Sequence, residues 1–400
     1  MLKSKHIVVG ITGGIAAYKA AELVRLLVRD EAYARVAMTS NAARFVTPLT
    51  FEALSGNRVI SSMWDREASS IDHITWGQES DLIIIAPATA NFIGKMANGL
   101  ADDFLSTMVL AATSKILVCP AMNTKMFENP AVQKNIDTLR KRKIIIMNPE
   151  EGQLACRTQG PGRLPEPGDI LEAARAALTS KDLKGLKILV TAGPTEEPID
   201  PVRHLTNRSS GKMGYALARA AGRRGASVIL VSGPVSLVPP LDVNFVAVRT
   251  AEEMRKQVFD NRKECDIIIK AAAVSDYRPK KIAGHKIKKG ENSISLELVK
   301  NPDILGELGS KKGQSSCLLI GFAAETEDIL TNAREKLKRK NLDMIVANDV
   351  SRDDAGFETE TNAVKIICND EETYESPLMS KDEVADQILS KAKSLLKKKK

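Results

Sequence analysis

Short apolar runs rich in β-branched residues recur along this chain, with helix-length segments between them. Continuous runs of this kind indicate parallel strands that are buried on both faces, with the intervening helices packed against the sheet. In the first half of the chain the runs are Ile7–Ile11, Val36–Met38, Leu82–Ala86, Ile116–Cys119 and Ile144–Met147. Parallel sheets bind ligands at the carboxyl ends of their strands, so the residues that follow each run are candidate functional residues.

The same alternation returns in the second half. The runs there are Ile188–Val190, Val228–Val231, Val243–Val248, Ile267–Ile269, Leu318–Ile320, Met344–Val346 and a late run, Ala363–Cys368. A last segment, Lys381–Leu396, has the pattern of a terminal helix. A chain of 400 residues is too long for a single ordinary core. We therefore predict an α/β protein with two domains, 1–180 and 187–400. The first would hold a flavodoxin- or Rossmann-like parallel sheet and the second a Rossmann-like sheet.

The charge balance argues against nucleic-acid binding. The formal net charge is +8, but six lysines and no acid lie in the last ten residues, and removing these six leaves +2. The basic balance is therefore mostly that of a tail, and tails of like charge are usually solvated and disordered. Aromatic residues make up only 4% of the chain, too few for the stacking surfaces that bind single-stranded nucleic acid.

Cysteine usage and hydropathy indicate a cytoplasmic protein without a membrane segment. Five scattered cysteines, odd in number and without CxxC spacing, disfavour a disulfide framework and a zinc site. No apolar run approaches the roughly 20 residues that a membrane span requires. Glycine interrupts the N-terminal apolar run, which therefore predicts a first strand and not a signal peptide.

The first two strand ends favour a phosphate or a flavin over NAD. After the first run comes a glycine-rich turn that contains Gly13, Gly14 and Ile15, but its spacing is not GxGxxG. After the second run, where an NAD site requires an acid, the sequence is Thr39-Ser40-Asn41. Tight packing between strand and helix explains the glycine turn nearly as well when it is taken alone.

Two further strand ends share one design, in which an amide follows a proline. Thr89 and Asn91 follow the third run, and Met122 and Asn123 follow the fourth. Together with the glycine turn, these segments resemble the homo-oligomeric flavin-containing cysteine decarboxylase family, whose members bind FMN. The resemblance implies FMN contacts for Gly13, Gly14, Ile15, Ser40, Thr89, Asn91, Ser106, Thr107 and Met122. The two acids just before Ser106 could equally begin a helix.

Two more segments of the first half match that family. One contains His73, although a lone histidine is more often packed or at the surface than catalytic. The other, Glu151–Arg163, resembles the flap that recognises the substrate and carries Cys156, which Arg157 follows where many relatives have glycine. By resemblance, His73 assists an oxidative decarboxylation, Asn123 holds the carboxylate of the substrate, and Cys156 donates a proton.

The stretch Lys187–Gly214 joins a strand to a helix through a long polar loop. Such a loop, rich in small residues, aims backbone N–H groups and a helix N-terminus at a phosphate. Its sequence resembles the ligase half of the bifunctional phosphopantothenoylcysteine decarboxylase/phosphopantothenate–cysteine ligase family. The resemblance implies that Asn207 stabilises an acyl-cytidylate intermediate and that Lys286 takes part in its reaction with cysteine.

Further matches to the ligase half run in order from Ile188 to Asp349. In the family these positions surround CTP, and here they are Lys270, Ala271, Ala272, Asp276, Lys286, Pro302, Asp303, Ile304, Leu305, Phe322, Lys336 and Lys340. Asp276 can also hold a metal, which the resemblance implies to be Mg²⁺. Lysine clusters such as the one at Lys286 are, without such matches, usually only solvated.

The resemblance implies a cytoplasmic enzyme with two activities. It would join 4'-phosphopantothenate to cysteine with CTP and then decarboxylate the product to 4'-phosphopantetheine, in a homo-oligomer with FMN sites between subunits. One alternative keeps the ligase and makes the first half a flavin-binding oligomerisation module, because of Arg157. Two others are an NAD(P)-dependent oxidoreductase, which the missing acid disfavours, and a nucleic-acid-binding protein.

Overall fold

The chain forms two compact units, residues 1–179 and 180–400. The computed structural model describes residues 2–64, 71–153, 159–288, 294–312, 317–325, 328–349, 359–369 and 372–399. Each unit is an α/β fold with its own sheet and its own core on both faces of that sheet.

The first unit is built on a six-stranded sheet with the order β3-β2-β1-β4-β5-β6, and all its pairings are parallel. The strands of this unit are β1 (His6–Ile11), β2 (Tyr33–Met38), β3 (Val59–Ile60), β4 (Leu82–Ala88), β5 (Lys115–Pro120), β6 (Ile145–Ile146), β7 (Glu150–Gln153) and β8 (Gln159–Arg163). The five predicted runs are therefore confirmed as strands. The two-residue β3 was not predicted, because it is too short to have a periodic pattern.

Helices cover both faces of this sheet. They are α1 (Ala17–Arg29), α2 (Pro48–Ser55), α3 (Asp72–Glu79), α4 (Ala90–Asn98), α5 (Phe104–Ala111), α6 (Thr124–Phe127), α7 (Pro130–Lys141) and α8 (Pro167–Leu178). On one face Leu23 and Leu27 of α1 are fully buried with Val9 of β1. On the other, Trp76 of α3 meets Phe104 of α5 edge to face, with ring centroids 5.6 Å apart.

The second unit has an eight-stranded sheet with the order β13-β12-β9-β14-β17-β18-β20-β21. Its strands are β9 (Lys187–Ala192), β10 (Glu196–Pro198), β11 (His204–Thr206), β12 (Ser227–Ser232), β13 (Asn244–Ala247), β14 (Ile267–Lys270), β15 (Tyr277–Pro279), β16 (Leu298–Lys300), β17 (Leu318–Glu325), β18 (Met344–Asp349), β19 (Thr361–Asn362), β20 (Val364–Cys368), β21 (Thr373–Glu375) and β22 (Met379–Ser380). All predicted runs are strands. The last two strands of the sheet pair antiparallel, which the apolar runs did not indicate.

The helices of the second unit are α9 (Lys212–Arg223), α10 (Ala251–Asn261), α11 (Ile304–Ser310), α12 (Ile329–Arg339) and α13 (Lys381–Lys399). The lysine-rich end is helical as far as Lys399, because these residues continue α13, and Lys397, Lys398 and Lys399 are exposed on that helix. Leu389 and Leu396 are buried, Lys391 pairs with Glu372, and Lys393 Nζ lies 2.8 Å from a carboxylate oxygen of Asp182. Acids that are distant in the sequence therefore neutralise part of the positive charge of α13.

Three other features bear on the site. The long polar loop after β9 contains the hairpin β10–β11, and a second hairpin, β7–β8, precedes α8 in the first unit. In the described residues, Cys119, Cys265, Cys317 and Cys368 are buried and form no disulfide. Within the same residues, no helix has the length and apolar content that crossing a bilayer requires.

Candidate active sites

In the first unit the strand order reverses between β1 and β4, and Thr12 joins the ends of these two strands. Its buried hydroxyl donates to the carbonyl of Pro87 over 2.8 Å and accepts from the amide of Thr89 over 3.0 Å. Ligands of doubly wound sheets bind in the crevice at this reversal point. Thr12 was not predicted, since a threonine beside glycines carries no signal of its own.

The glycine turn after β1 lies against the loop after β2. A Cβ on Gly13 would overlap the Cβ of Asn41, so this close approach requires glycine. Ser40 and Ile15 are exposed beside this contact. Ala16, which precedes α1, offers no side chain to cap the first amides of the helix. The amides of Ala17 and Lys19 instead donate to the backbone carbonyls of Gly14 and Ala16, and the start of α1 lies beside the predicted FMN site.

Asn91 and Asn123, whose side-chain amides were predicted as site groups after the third and fourth runs, both lie at the starts of helices. Asn91 is exposed in the first turn of α4, which Thr89 caps through the amide of Phe92. Asn123 caps α6, and its Oδ1 accepts from the amide of Lys125 over 2.8 Å. The nitrogen of the Asn123 amide is thus the end that can donate to a carboxylate.

The hairpin β7–β8 is attached beside Asn123. The amide of Met122 donates to the carbonyl of Gly162 over 3.0 Å, and a Cβ on Gly162 (φ +148°) would overlap the Met122 carbonyl. A Cβ on Gly160 would lie 2.8 Å from the methyl group of Thr124. The hairpin therefore crosses the start of α6. Cys156 and Arg157 belong to residues 154–158, between its strands and outside the described residues.

His73 and the predicted pair Ser106 and Thr107 lie on two packed helices. His73 is half-buried in the first turn of α3, which packs on α5. The hydroxyls of Ser106 and Thr107 already bond within the first turn of α5, where Ser106 and Asp103 form a capping box. Helix capping, the alternative given for these hydroxyls, is thus their observed contact.

In the second unit, hydrogen bonds fasten the loop after β9 to the loop after β14. The Thr191 hydroxyl accepts from the amide of Ala272, and the buried Thr195 hydroxyl accepts from the amide of Ser275 over 3.0 Å. Asn207 Nδ2 lies 3.3 Å from the carbonyl of Ala273 and 3.2 Å from that of Val274. These bonds place the predicted Asn207 at the end of β14.

A cavity of about 490 Å³ opens at this edge. Ten of the residues predicted to surround CTP line it, namely Lys270, Ala272, Asp276, Pro302, Asp303, Ile304, Leu305, Phe322, Lys336 and Lys340. Lys300 and Arg339 line it too and were not predicted. Its walls therefore combine apolar side chains with a cationic rim.

The charged groups of this cavity influence one another. Burial raises the pKa of Asp303, but the Gly306 amide and the Lys340 ammonium, 3.0 Å away, bring it below its ordinary value. Lys270 is nine-tenths buried, and its Nζ lies 3.7 Å from the sulfur of Met254. Burial lowers the pKa of Lys270 to about 7.

A second cavity of about 510 Å³ shares a wall with the first. The shared residues are Ala272, Val274, Asp276, Phe322 and Lys336. Its other walls include the predicted Asn207 and Ala271, together with Lys212. Asn348, Asn362 and Lys381 also line it. No local sequence pattern indicates these three residues, because the topology brings them from well beyond the glycine loop.

Lys286 lies apart from the walls of both cavities. It is exposed, and its neighbour Ile287 is held on the β10–β11 turn by the carboxylate of Asp200 and by Arg203. The Arg203 guanidinium keeps the pKa of Asp200 well below its usual range. Lys289, also part of the predicted lysine element, lies outside the described residues.

Asp276 is the predicted metal residue. Its side chain is exposed at the shared wall, and its carbonyl accepts from the amide of Asn301 over 2.8 Å. The described residues contain no cluster of three metal-binding side chains. Mg²⁺ often uses one or two carboxylates together with the phosphates of the substrate, so a single aspartate is compatible with it.

Known families and proteins match both units. Residues 1–179 match the family described as Flavoprotein, and residues 183–396 match the family described as DNA/pantothenate metabolism flavoprotein C-terminal domain. The coenzyme A biosynthesis bifunctional protein CoaBC of Bacillus subtilis is 48% identical over 99% of this chain and 98% of its own length. The protein of the same name from Escherichia coli K12 is 46% identical over 92% of each chain.

Among solved structures, the C-terminal domain of a coenzyme A biosynthesis bifunctional protein CoaBC is 46% identical. It covers 55% of this chain and 100% of that chain, with a TM-score of 0.48. The family match rests on the sequence relatives, which extend over both units. The chain therefore belongs to the family of coenzyme A biosynthesis bifunctional proteins, with a flavoprotein domain followed by a pantothenate-metabolism domain.

Proposed function

We propose that this protein carries out two consecutive steps of coenzyme A biosynthesis. The second unit joins 4'-phosphopantothenate to cysteine at the expense of CTP. The first unit then decarboxylates 4'-phosphopantothenoylcysteine to 4'-phosphopantetheine with FMN. The observation that carries this proposal is the 48% identity with a bifunctional protein along 99% of the chain, with a separate family match for each unit.

The ligation proceeds in two displacements. A carboxylate oxygen of 4'-phosphopantothenate attacks the α-phosphorus of CTP, the bond to the bridging oxygen breaks, and pyrophosphate leaves with the electron pair. The amine of cysteine then attacks the acyl carbon, loses a proton and forms the amide, while CMP leaves. Both steps place negative charge on phosphate oxygens, which nearby cations stabilise.

The two adjoining cavities of the second unit suit these reactants. The lysine-rimmed cavity with Phe322 and Leu305 offers apolar contact to a base and cations to phosphates. Asn207, fixed at the wall of the larger cavity, is positioned to contact the acyl-cytidylate. Asp276 lies at the shared wall and would help to hold a bound Mg²⁺, which would neutralise part of the charge on the phosphates.

The strand ends of the first unit fit FMN. The start of α1 has no side-chain cap and carries a partial positive charge that favours a phosphate, and Ser40, Thr89 and Asn91 supply hydroxyl and amide groups where a carboxylate would repel it. A bound FMN would supply the reversible two-electron oxidation that makes loss of CO₂ feasible.

The chain itself positions the substrate and moves the proton. The amide nitrogen of Asn123 holds the substrate carboxylate beside the attachment point of the β7–β8 hairpin. Cys156 belongs to the segment between the two strands of this hairpin, and in our proposal its thiol donates the proton that replaces CO₂. His73 assists the carboxylate loss, and we propose that it does so within a homo-oligomer whose FMN sites lie between subunits.

Mass spectrometry of the products tests both activities at once. Purified FMN-loaded protein receives 4'-phosphopantothenate, cysteine, CTP and Mg²⁺, and we expect the mass of 4'-phosphopantetheine. Accumulation of 4'-phosphopantothenoylcysteine would instead support the alternative of a ligase with a flavin-binding oligomerisation module. No conversion by the intact, loaded protein would contradict the proposed function.

A further inference from the structure

A further cavity of the second unit, of about 300 Å³, lies at the opposite edge of the sheet from the proposed nucleotide site. Ile268 and Leu319, near the beginnings of the parallel strands β14 and β17, line it. Lys270 and Phe322, further along the same two strands, line the cavity of about 490 Å³ instead. The two cavities have no described lining residue in common, so the smaller one is separate from the proposed CTP site.

One part of the lining of this smaller cavity is apolar. Ile268, Leu308, Cys317 and Leu319 belong to the core on this face of the sheet, and each is less than one-tenth exposed. A ligand in the cavity can therefore bury an apolar group against these side chains.

The rest of the described lining is cationic. Arg262 and Lys263 precede β14, and Lys311 and Lys312 follow α11. The described lining residues include no acid. A concave surface that carries charge of one sign concentrates the opposite charge, so this cavity attracts anions.

Two acids that act on this lining are already paired. Asp343 Oδ1 lies 3.0 Å from Lys312 Nζ and 3.5 Å from Lys399 Nζ, so two lysines share one carboxylate. The carboxylate of Glu307 lies 2.8 Å from the guanidinium of Arg255, and this hydrogen-bonded pair lowers the pKa of Glu307. Both carboxylates are therefore balanced by cations of their own.

Three cations of the lining are left without a carboxylate partner. Within the part of the chain that the structure describes, Arg262, Lys263 and Lys311 form no ion pair. The guanidinium carbon of Arg262 and Nζ of Lys311 each lie 4.8 Å from the ring centroid of Phe259, which holds both cations beside the cavity. An aromatic ring attracts cations but has no net charge. An anion between these groups would therefore stabilise them.

The number of cations favours a phosphate monoester over a carboxylate. A phosphate monoester carries roughly −1.5 to −2 charge at pH 7 and has three strong acceptor oxygens, so one group can contact several cations. A carboxylate carries only a single charge. The volume of about 300 Å³ is at the small end of the range for ligand sites, which favours a small ligand over a nucleoside triphosphate.

We propose that this cavity binds a small phosphate monoester. Arg262 and Lys311 contact the phosphate oxygens, and the apolar group of the ligand packs against Leu308 and Leu319. The site is distinct from the residues proposed for ligation and for decarboxylation, and its existence does not depend on either activity.

Calorimetric titration of the full-length, FMN-loaded protein with phenyl phosphate tests the site. Saturating CTP and Mg²⁺ occupy the proposed nucleotide site, and cysteine and 4'-phosphopantothenate are left out so that no turnover occurs. We expect saturable binding that Arg262→Gln and Lys311→Gln each weaken roughly 10- to 100-fold, as the loss of a hydrogen bond to a charged group does. Arg262→Lys, which keeps the charge, should lose less affinity than Arg262→Gln.

Lys256→Gln is the matched control, because Lys256 is an exposed cation of α10 that does not line the cavity. Its affinity for phenyl phosphate should stay within about twofold of wild type. An equal loss in Lys256→Gln and Arg262→Gln would mean diffuse attraction by the positive surface and would overturn the site. So would wild-type affinity in both Arg262→Gln and Lys311→Gln, with each variant folded in a thermal melt.

Two further probes test the chemistry of the ligand. Inorganic phosphate lacks the apolar group and benzoate carries only one charge, so both should bind more weakly than phenyl phosphate. Benzoate that binds as tightly as phenyl phosphate would contradict the choice of a phosphate. Inorganic phosphate that binds as tightly would contradict the role of Leu308 and Leu319.

Discussion

At the scale of single residues, Lys270 shows how the cavity of about 490 Å³ is maintained at a cost to stability. The unfolded chain titrates this lysine near 10.5, whereas burial lowers the pKa of Lys270 in the fold to about 7. Asp303 opposes the lowering, and Lys340 adds to it. Below about pH 7 the buried amine is charged and the burial penalty is fully present. As pH rises from 7 towards 10.5, only the unfolded chain keeps the proton, so stability increases with pH.

We therefore expect Lys270→Met to stabilise the second unit, by on the order of a few kcal/mol near pH 6 and by less at pH 9. Both tryptophans lie in the first unit, so fluorescence does not report on this one. Hydrogen exchange of β14 in denaturant is the suitable measurement. Lys184→Met, at an exposed position, is the control. A stabilisation that is equal at both pH values would contradict this account.

At the scale of secondary-structure elements, the β7–β8 hairpin depends on glycine at its attachment point. Gly162→Ala places a methyl group on the Met122 carbonyl and forces an alanine to φ +148°. We expect the hairpin to shift and decarboxylation to fall on the order of 100-fold, because small displacements of catalytic groups have effects of this size. Ligation should change less than about twofold, since its residues lie in the other unit.

Gly168→Ala is the matched control, since a Cβ there meets open space. Mass spectrometry after a timed reaction should show accumulated 4'-phosphopantothenoylcysteine in Gly162→Ala and normal product in Gly168→Ala. Normal decarboxylation by Gly162→Ala would show that the hairpin does not position the proton donor.

The C-terminal helix gives a second prediction at this scale. Leu389 is fully buried against the core of the second unit, so Leu389→Ala should cost about 2–5 kcal/mol. Lys397→Ala, at an exposed position of the same helix, should stay within about 0.5 kcal/mol of wild type. Hydrogen exchange of α9, against which α13 packs, measures both. Equal protection in the two variants would mean that the tail is not part of the core.

The strands and the site residues that directly follow them could be predicted from the sequence, because the patterns that indicate both are local. Apolar runs mark buried strands, and glycine, proline and amide residues follow them directly. The ion pairs of α13 could not be predicted, because their partners are distant in the sequence: Lys393 and Asp182 are 211 positions apart. Asn348 and Lys381 were missed for the same reason: only the order of strands in the sheet brings them to the glycine loop.

At the scale of the whole molecule, each unit has its own core and its own site residues. We therefore expect a double dissociation. Asn207→Ala should lower ligation on the order of 100- to 1,000-fold, the size typical for one lost donor to a developing charge. It should still decarboxylate added 4'-phosphopantothenoylcysteine, while Asn123→Ala should ligate normally and accumulate that compound.

Separate assays of each half-reaction with the purified intermediate measure this dissociation. Flavin absorbance of both variants controls for lost FMN. If each substitution impaired both half-reactions, the two units would depend on each other and the assignment of one step to each would fail.

The buried cysteines have a consequence for an enzyme that handles free thiols. Burial raises the pKa of Cys119 well above its usual range and raises the pKa of Cys265 to about 11 and that of Cys317 to about 12. Thiolates, and not thiols, attack disulfides, so these side chains are inert at neutral pH. Cystine that forms from the cysteine substrate therefore finds no mixed-disulfide partner among these three buried thiols.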